Sequence, residues 1–137
     1  MDVDFFDAHA RHWQDAEILE HASRFANADH LFGFSAECGL KGLMHCFGMR
    51  TDASGSPTDS KDKRHANAIW DRFEAYRAGH QTGAAYTLPR SNPFSNWNVD
   101  QRYANQRNFD AKLVAKHKSG ATSVNNLIEK AKKDGLL

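Results

Sequence analysis

Glu37 and Lys41 stand four residues apart within Ser35–Met44 (SAECGLKGLM), in the middle of an apolar run from Leu31 to Phe47. Residues at that spacing share a helical face, and Glu placed N-terminal to Lys is the favourable order. A carboxylate and an ammonium inside so apolar a helix need partners, or a place at the mouth of a cleft. Two readings are open. In the first, Glu37 pairs with Lys41 along the helix, or reaches Arg102 across the fold and fixes a loop. In the second, Glu37 and Lys41 join His65, Arg102 and Tyr103 around a polar cleft that binds a phosphate or nucleotide. Arginine suits bidentate phosphate contact, and tyrosine or tryptophan suits base stacking. Trp97 therefore joins the candidate ligand-binding residues.

His65 follows Lys61, Lys63 and Arg64 at an expected helix start. A histidine there can act as a general acid or base near neutral pH. Cations at a helix N-terminus oppose the helix dipole, which favours an anion-facing role for the cluster. The plainer reading is an exposed or capping side chain. His65 and Arg102 are the candidate catalytic residues. His9, His12 and Asp15 follow one another at intervals of three, a spacing that can present metal ligands on one helical face. No second ligand pair matches them, so no metal is expected, and His9 beside Trp13 reads as a half-buried packing residue. Trp70, at helical spacing with other apolar residues, reads as core. No glycine-rich phosphate loop, nucleophile elbow or zinc pattern occurs, and no cofactor is expected.

Helices must position these groups. Phe5, Phe6, His9, Trp13, Ala16, Leu19 and Ala22 recur at helical spacing and predict a first helix over 4–25. Asn27–Asp29 offers a break and a cap, with a second helix over 30–48 and Gly48 at its end. So short a connection implies antiparallel neighbours. Residues 51–62 (TDASGSPTDSKD) read as a surface loop. A third helix is predicted over 63–78, with Ala66, Ile69, Trp70, Phe73 and Tyr76 inward. Residues 79–108 are irregular, and long ordered loops tend to be functional. A fourth helix, or a broken pair, follows over 108–133, with Ser119-Gly120 a potential kink. The expected class is all-α, an up-and-down bundle of four or five helices with a long irregular segment before the last.

At 137 residues the chain is read as one domain. A mean hydropathy of -0.71, the lack of a 20-residue apolar stretch and the acidic start at Asp2 and Asp4 argue against a membrane span or a secretory signal. The expected location is the cytoplasm. Cys38 and Cys46 lie about 12 Å apart along one helix, too far for the roughly 7 Å that a disulfide tolerates. Free thiols suit a reducing compartment. The net charge is only +1, yet residues 1–29 hold seven acids and two bases, and residues 101–137 hold eight bases and three acids. The basic end can meet phosphates, or it can be balanced by the acidic first helix packed beside it.

Taken in order, SAECGLKGLM at 35–44, His65 with Ile69-Trp70, then Trp97 and Arg102-Tyr103 before the last long helix resemble the HEPN superfamily of small helical bundles, over most of the chain. The resemblance implies two long antiparallel helices crossed by shorter ones, and a homodimer. It implies either a metal-independent ribonuclease of toxin–antitoxin, CRISPR or anti-phage systems, or a catalytically silent partner. Nuclease members carry an arginine and a histidine separated by four to six residues on a late helix. Here Arg102 and Arg107 are followed by no histidine before His117. Arg24 and His30 have the spacing but straddle the expected junction of the first two helices. The expected function is thus a non-catalytic module binding a nucleotide, RNA or a protein partner in prokaryotic stress or defence. The alternatives are a ribonuclease with a rearranged site, and a purely structural oligomerising or antitoxin-like partner that uses the first and last helices as its interface.

Overall fold

A computed structural model describes all 137 residues and shows four α-helices with no sheet: α1 (Phe5–His21), α2 (Phe25–Cys46), α3 (Ala66–Ala78) and α4 (Ala111–Lys133). Helix α2 is central and packs against α1, α3 and α4. One continuous apolar cluster, including Phe32, Leu40, Leu43, Met44, Ile69, Trp70, Phe73 and Ile128, fills the space around it. No helix is long and apolar enough to cross a membrane.

The α1–α2 break falls at Ala22–Arg24, earlier than the pattern predicts, and Asn27–Asp29 lie inside α2. Ser23 adopts a left-handed conformation, φ 56°. This lets the Ser23 N–H reach the Glu20 carbonyl and the Arg24 N–H reach the Leu19 carbonyl, at 2.9 and 2.8 Å. Those two bonds close α1 in the manner usually supplied by glycine. Asp29 does not cap, because its side chain is wholly buried and occupied elsewhere. At the start of α1, Asp4 accepts the N–H groups of Phe6 and Asp7.

Helix α2 can be central because its neighbours approach its glycines. A β-carbon at Gly33 would stand 2.1 Å from the Trp97 ring. One at Gly39 would meet Val124 at 2.6 Å and His9 at 2.9 Å. The helix ends at Cys46 with Phe47 as its cap, two residues before the position the pattern predicts, and left-handed Gly48 (φ 103°) follows the cap.

Residues 51–57 form a hydrogen-bonded turn. The Asp52 carboxylate accepts the N–H groups of Ser54 and Ser56, Thr51 and Pro57 form an isolated β-bridge, and the Val3 N–H donates to the Ser54 carbonyl. Helix α3 begins at Ala66, three residues later than predicted, because Ser60–Lys63 make a separate 3₁₀ turn followed by extended Arg64 and His65. Asp62, buried in that turn, accepts from Arg72 Nε and Tyr76 Oη. The basic cluster 61–64 therefore lies outside α3.

Residues 79–110 contain three short 3₁₀ turns, Thr82–Ala85, Val99–Tyr103 and Gln106–Asn108. Buried Tyr86, Leu88, Phe94 and Trp97 anchor the segment. Helix α4 is unbroken, and Gly120 admits Pro93 and Phe94 rather than interrupting it. Its start at Ala111 is set by Asp110, which accepts the Leu113 N–H at 2.8 Å.

Candidate functional site

The residues on one face of α2, His30, Phe34, Glu37 and Lys41, build the candidate site. Glu37 and Lys41 are only 8% and 7% exposed. Lys41 Nζ donates to Glu37 Oε1 at 2.7 Å, and His65 Nδ1 lies 3.1 Å from Glu37 Oε2. Both carboxylate oxygens are thus occupied. The extended backbone before α3 swings His65 onto Glu37, leaving its ring half-exposed. A carboxylate on Nδ1 fixes the ring's orientation and leaves Nε2 as its free nitrogen.

Of the two structural alternatives the intrahelical Glu37–Lys41 pair forms, and the Glu37–Arg102 contact across the bundle does not. The Arg102 guanidinium lies 3.6 Å from Asp100 and covers the Tyr103 ring at 4.8 Å. Both residues end the Val99–Tyr103 turn, whose cap is reciprocal: Asn98 accepts from the Asp100 N–H, and Gln101 accepts from the Asn98 N–H. Tyr103 is 78% exposed, so one aromatic face is open to solvent.

Trp97 is not a stacking platform for a ligand. It is 1% exposed, fills the notch at Gly33 and donates from Nε1 to the Asp29 carbonyl at 3.2 Å. The irregular segment hid this role, since no helical period there signals burial. His30, one turn before Gly33 on α2, stacks on Trp97, nearly parallel at 5.4 Å. His30 and His12 both pack on Phe34, with ring centroids 4.5 and 5.6 Å away. Their Nδ1 atoms are buried without a hydrogen-bond partner. Burial, then the Arg102 guanidinium, lowers the His30 pKa, with His65 adding to the effect and Asp29 opposing it. Burial, then Arg11, lowers that of His12, against Asp15 and Glu37. His12 and His30 were not foreseen as part of this face. The spacing of 30, 34, 37 and 41 along one helical stripe was the available signal.

Cys38 also sits on this helix. Burial pushes its thiol pKa up to about 12, which removes it as a nucleophile at neutral pH.

His9 is fully buried rather than half-buried. Nδ1 lies 2.8 Å from the Ser35 carbonyl and Nε2 lies 3.1 Å from Asn125 Oδ1, so both ring nitrogens are occupied. No group of three or more His, Cys, Asp or Glu side chains is arranged to hold a metal ion. Arg24 is the N-cap of α2, at the end of the α1–α2 break, and His30 lies inside the helix. Arg24 is exposed at the α1–α2 corner, whereas His30 packs on Trp97. Between acidic α1 and basic α4 the ion pairs are those of Lys118, whose Nζ lies 2.8 Å from Glu20 and 3.7 Å from Glu17, while Lys130 and Lys132 pair with Asp134 and Glu129 at the end of α4 itself.

No known family, curated protein or solved structure matches this chain.

Proposed function

We propose that the chain is an HEPN-like helical module of a prokaryotic stress or defence system that binds RNA, a nucleotide or a protein partner without cleaving it. RNA is the ligand to test first. The observation that carries the reading is the split between the polar groups. Glu37, Lys41 and His65 are bonded to one another, whereas Arg102 and Tyr103 present a guanidinium and an open aromatic face outward. An exposed aromatic ring beside a cation suits single-stranded nucleic acid, in which stacking and phosphate contact combine. Fluorescence anisotropy with a labelled single-stranded RNA tests this. Tyr103→Ala and Arg102→Gln are expected to weaken binding at least fivefold while the RNA stays intact in the presence of chelator. Binding unchanged in both variants defeats the reading.

The orientation of His65 by Glu37 favours one second reading, a metal-independent ribonuclease with a rearranged site. His65 Nε2 would take the proton of the attacking 2′-hydroxyl as the 2′-oxygen bonds to phosphorus, Arg102 would stabilise the phosphorane charge, and the P–O5′ bond would break with the leaving 5′-oxygen taking a proton from water. Growth arrest on expression, relieved by His65→Ala or Arg102→Ala, distinguishes this from the binding module.

A further inference from the structure

The rings of His12, from α1, and His30, from α2, both pack on Phe34, and the Nδ1 atom of each is buried without a hydrogen-bond partner. The carboxylates that act on these rings are Asp29 at His30, and Asp15 and Glu37 at His12. Asp29 is taken up by His117 and Gln101, and Glu37 by Lys41 and His65. Exposed Asp15 bonds to neither ring. Opposing them, Arg102 of the turn and His65 before α3 act on His30, and Arg11 acts on His12. A charged His30 also opposes the charging of His12. Protonation puts a hydrogen on both nitrogens of a ring. Each buried Nδ1 then becomes a donor without an acceptor, in surroundings already rich in cations.

The part of the fold best able to give way is the chain over 97–103. No residue of the Val99–Tyr103 turn is fully buried, and its one hydrogen bond to α2 runs from Gln101 Nε2 to Asp29 Oδ2. Just before it, Trp97 stacks on His30 and donates to the Asp29 carbonyl. Both attachments end on the residue next to His30, and a His30 ring that leaves for water uncovers one face of Trp97. We infer that His12 and His30 form an acid-operated latch: protonation favours a state in which residues 97–103 have come off α2, moving Arg102 and Tyr103 with them. In the closed form both rings have pKa values below the usual 6.5, and rings freed into water return to it. Protons therefore bind the open form more tightly, and its population rises as the pH falls below that value. The latch concerns how the turn is held and does not rest on what Arg102 and Tyr103 bind.

The test follows the Trp97 indole N–H of the full chain by two-dimensional proton–nitrogen NMR, with the resonance assigned through Trp97→Phe. Its exchange with deuterium oxide is measured at pH 7.5 and 5.5 relative to free N-acetyltryptophanamide. Protection of the indole is expected to fall about fivefold or more at the lower pH, while the amides of Leu40 and Leu43 in the middle of α2 keep theirs. His30→Phe keeps an aromatic ring beside Trp97 but cannot titrate, and is expected to remove most of the fall. Arg102→Gln takes away an opposing cation and is expected to make the fall smaller, which keeps the test open should His30→Phe not fold. Constant indole protection in the unmodified chain overturns the latch. A loss shared equally by Leu40 and Leu43 does so too, because the whole protein is then unfolding in acid. The full fall retained in His30→Phe, or in Arg102→Gln where the former does not fold, also overturns it. None of these outcomes touches the RNA-binding reading, which fails or stands on the Tyr103→Ala and Arg102→Gln affinities.

Discussion

His117 of α4 and Asp29 of α2 meet at 2.5 Å where neither side chain is exposed to solvent. The pair is the centre of a larger network. The second Asp29 oxygen accepts from Gln101 Nε2 at 2.7 Å, and the other His117 nitrogen lies 3.0 Å from Asn96 Oδ1. Two helices and the irregular segment are thereby locked to one another, and the turn that carries Arg102 and Tyr103 is held through Gln101.

Removing one member leaves the facing atom of the other, Asp29 Oδ1 or His117 Nδ1, buried and unpaired. His117→Ala is expected to cost about 3–5 kcal/mol, the usual loss when one partner of a buried pair is deleted. Urea unfolding measures it. A His117→Phe, Asp29→Leu double variant is expected to recover part of the loss, because no charge then remains buried.

Gly33→Ala tests the notch that receives Trp97. The added carbon would overlap an indole ring that cannot withdraw from a closed core. The expected loss is about 1–3 kcal/mol, as for other overpacked cores, with a changed tryptophan emission spectrum. Pairing it with Trp97→Phe should restore part of the stability.

Ser23→Gly has the opposite sign. A left-handed serine carries a steric cost that glycine lacks, about 1–2 kcal/mol on the helical scale. A gain of about 1 kcal/mol is expected, read as a rise of about 2–5 °C in melting temperature.

The pH dependence follows from His12 and His30. Both have folded pKa values lowered from the usual 6.5, chiefly by burial. Above 6.5 both states hold the rings neutral. As the pH falls below 6.5 the unfolded chain takes up protons first, so stability declines until the folded pKa values are reached. Urea midpoints at pH 7.5 and 5.5 should show the decline, and His30→Phe should make it smaller.

The apolar faces of α3 and α4 were legible in the sequence because helical period is local. Ile69, Trp70 and Phe73, and Val114, His117, Val124 and Ile128, are all buried as that period requires. The all-α class and a helix end beside Gly48 follow from the same kind of signal. What failed depended on distant partners. Asn27–Asp29 has the composition of a break, yet Asp29 is taken up by a histidine 88 residues away and the break moved to Ser23. Within the candidate site, the i,i+4 pair of Glu37 and Lys41 was readable. The choice of His65 rather than Arg102 as the second partner depended on the extended backbone before α3.

The notches in α2 also govern how the molecule can come apart. Gly33, Gly39 and Gly42 lie in the interior of that helix, and each glycine lowers intrinsic helix stability by about 1 kcal/mol relative to alanine. Alone, α2 would be a poor helix; it is held together by Trp97, Val124, His9 and Phe6 arriving from other parts of the chain. Its amide protons should therefore exchange with solvent only when the whole fold opens, making the middle of α2 the slowest-exchanging part of the protein.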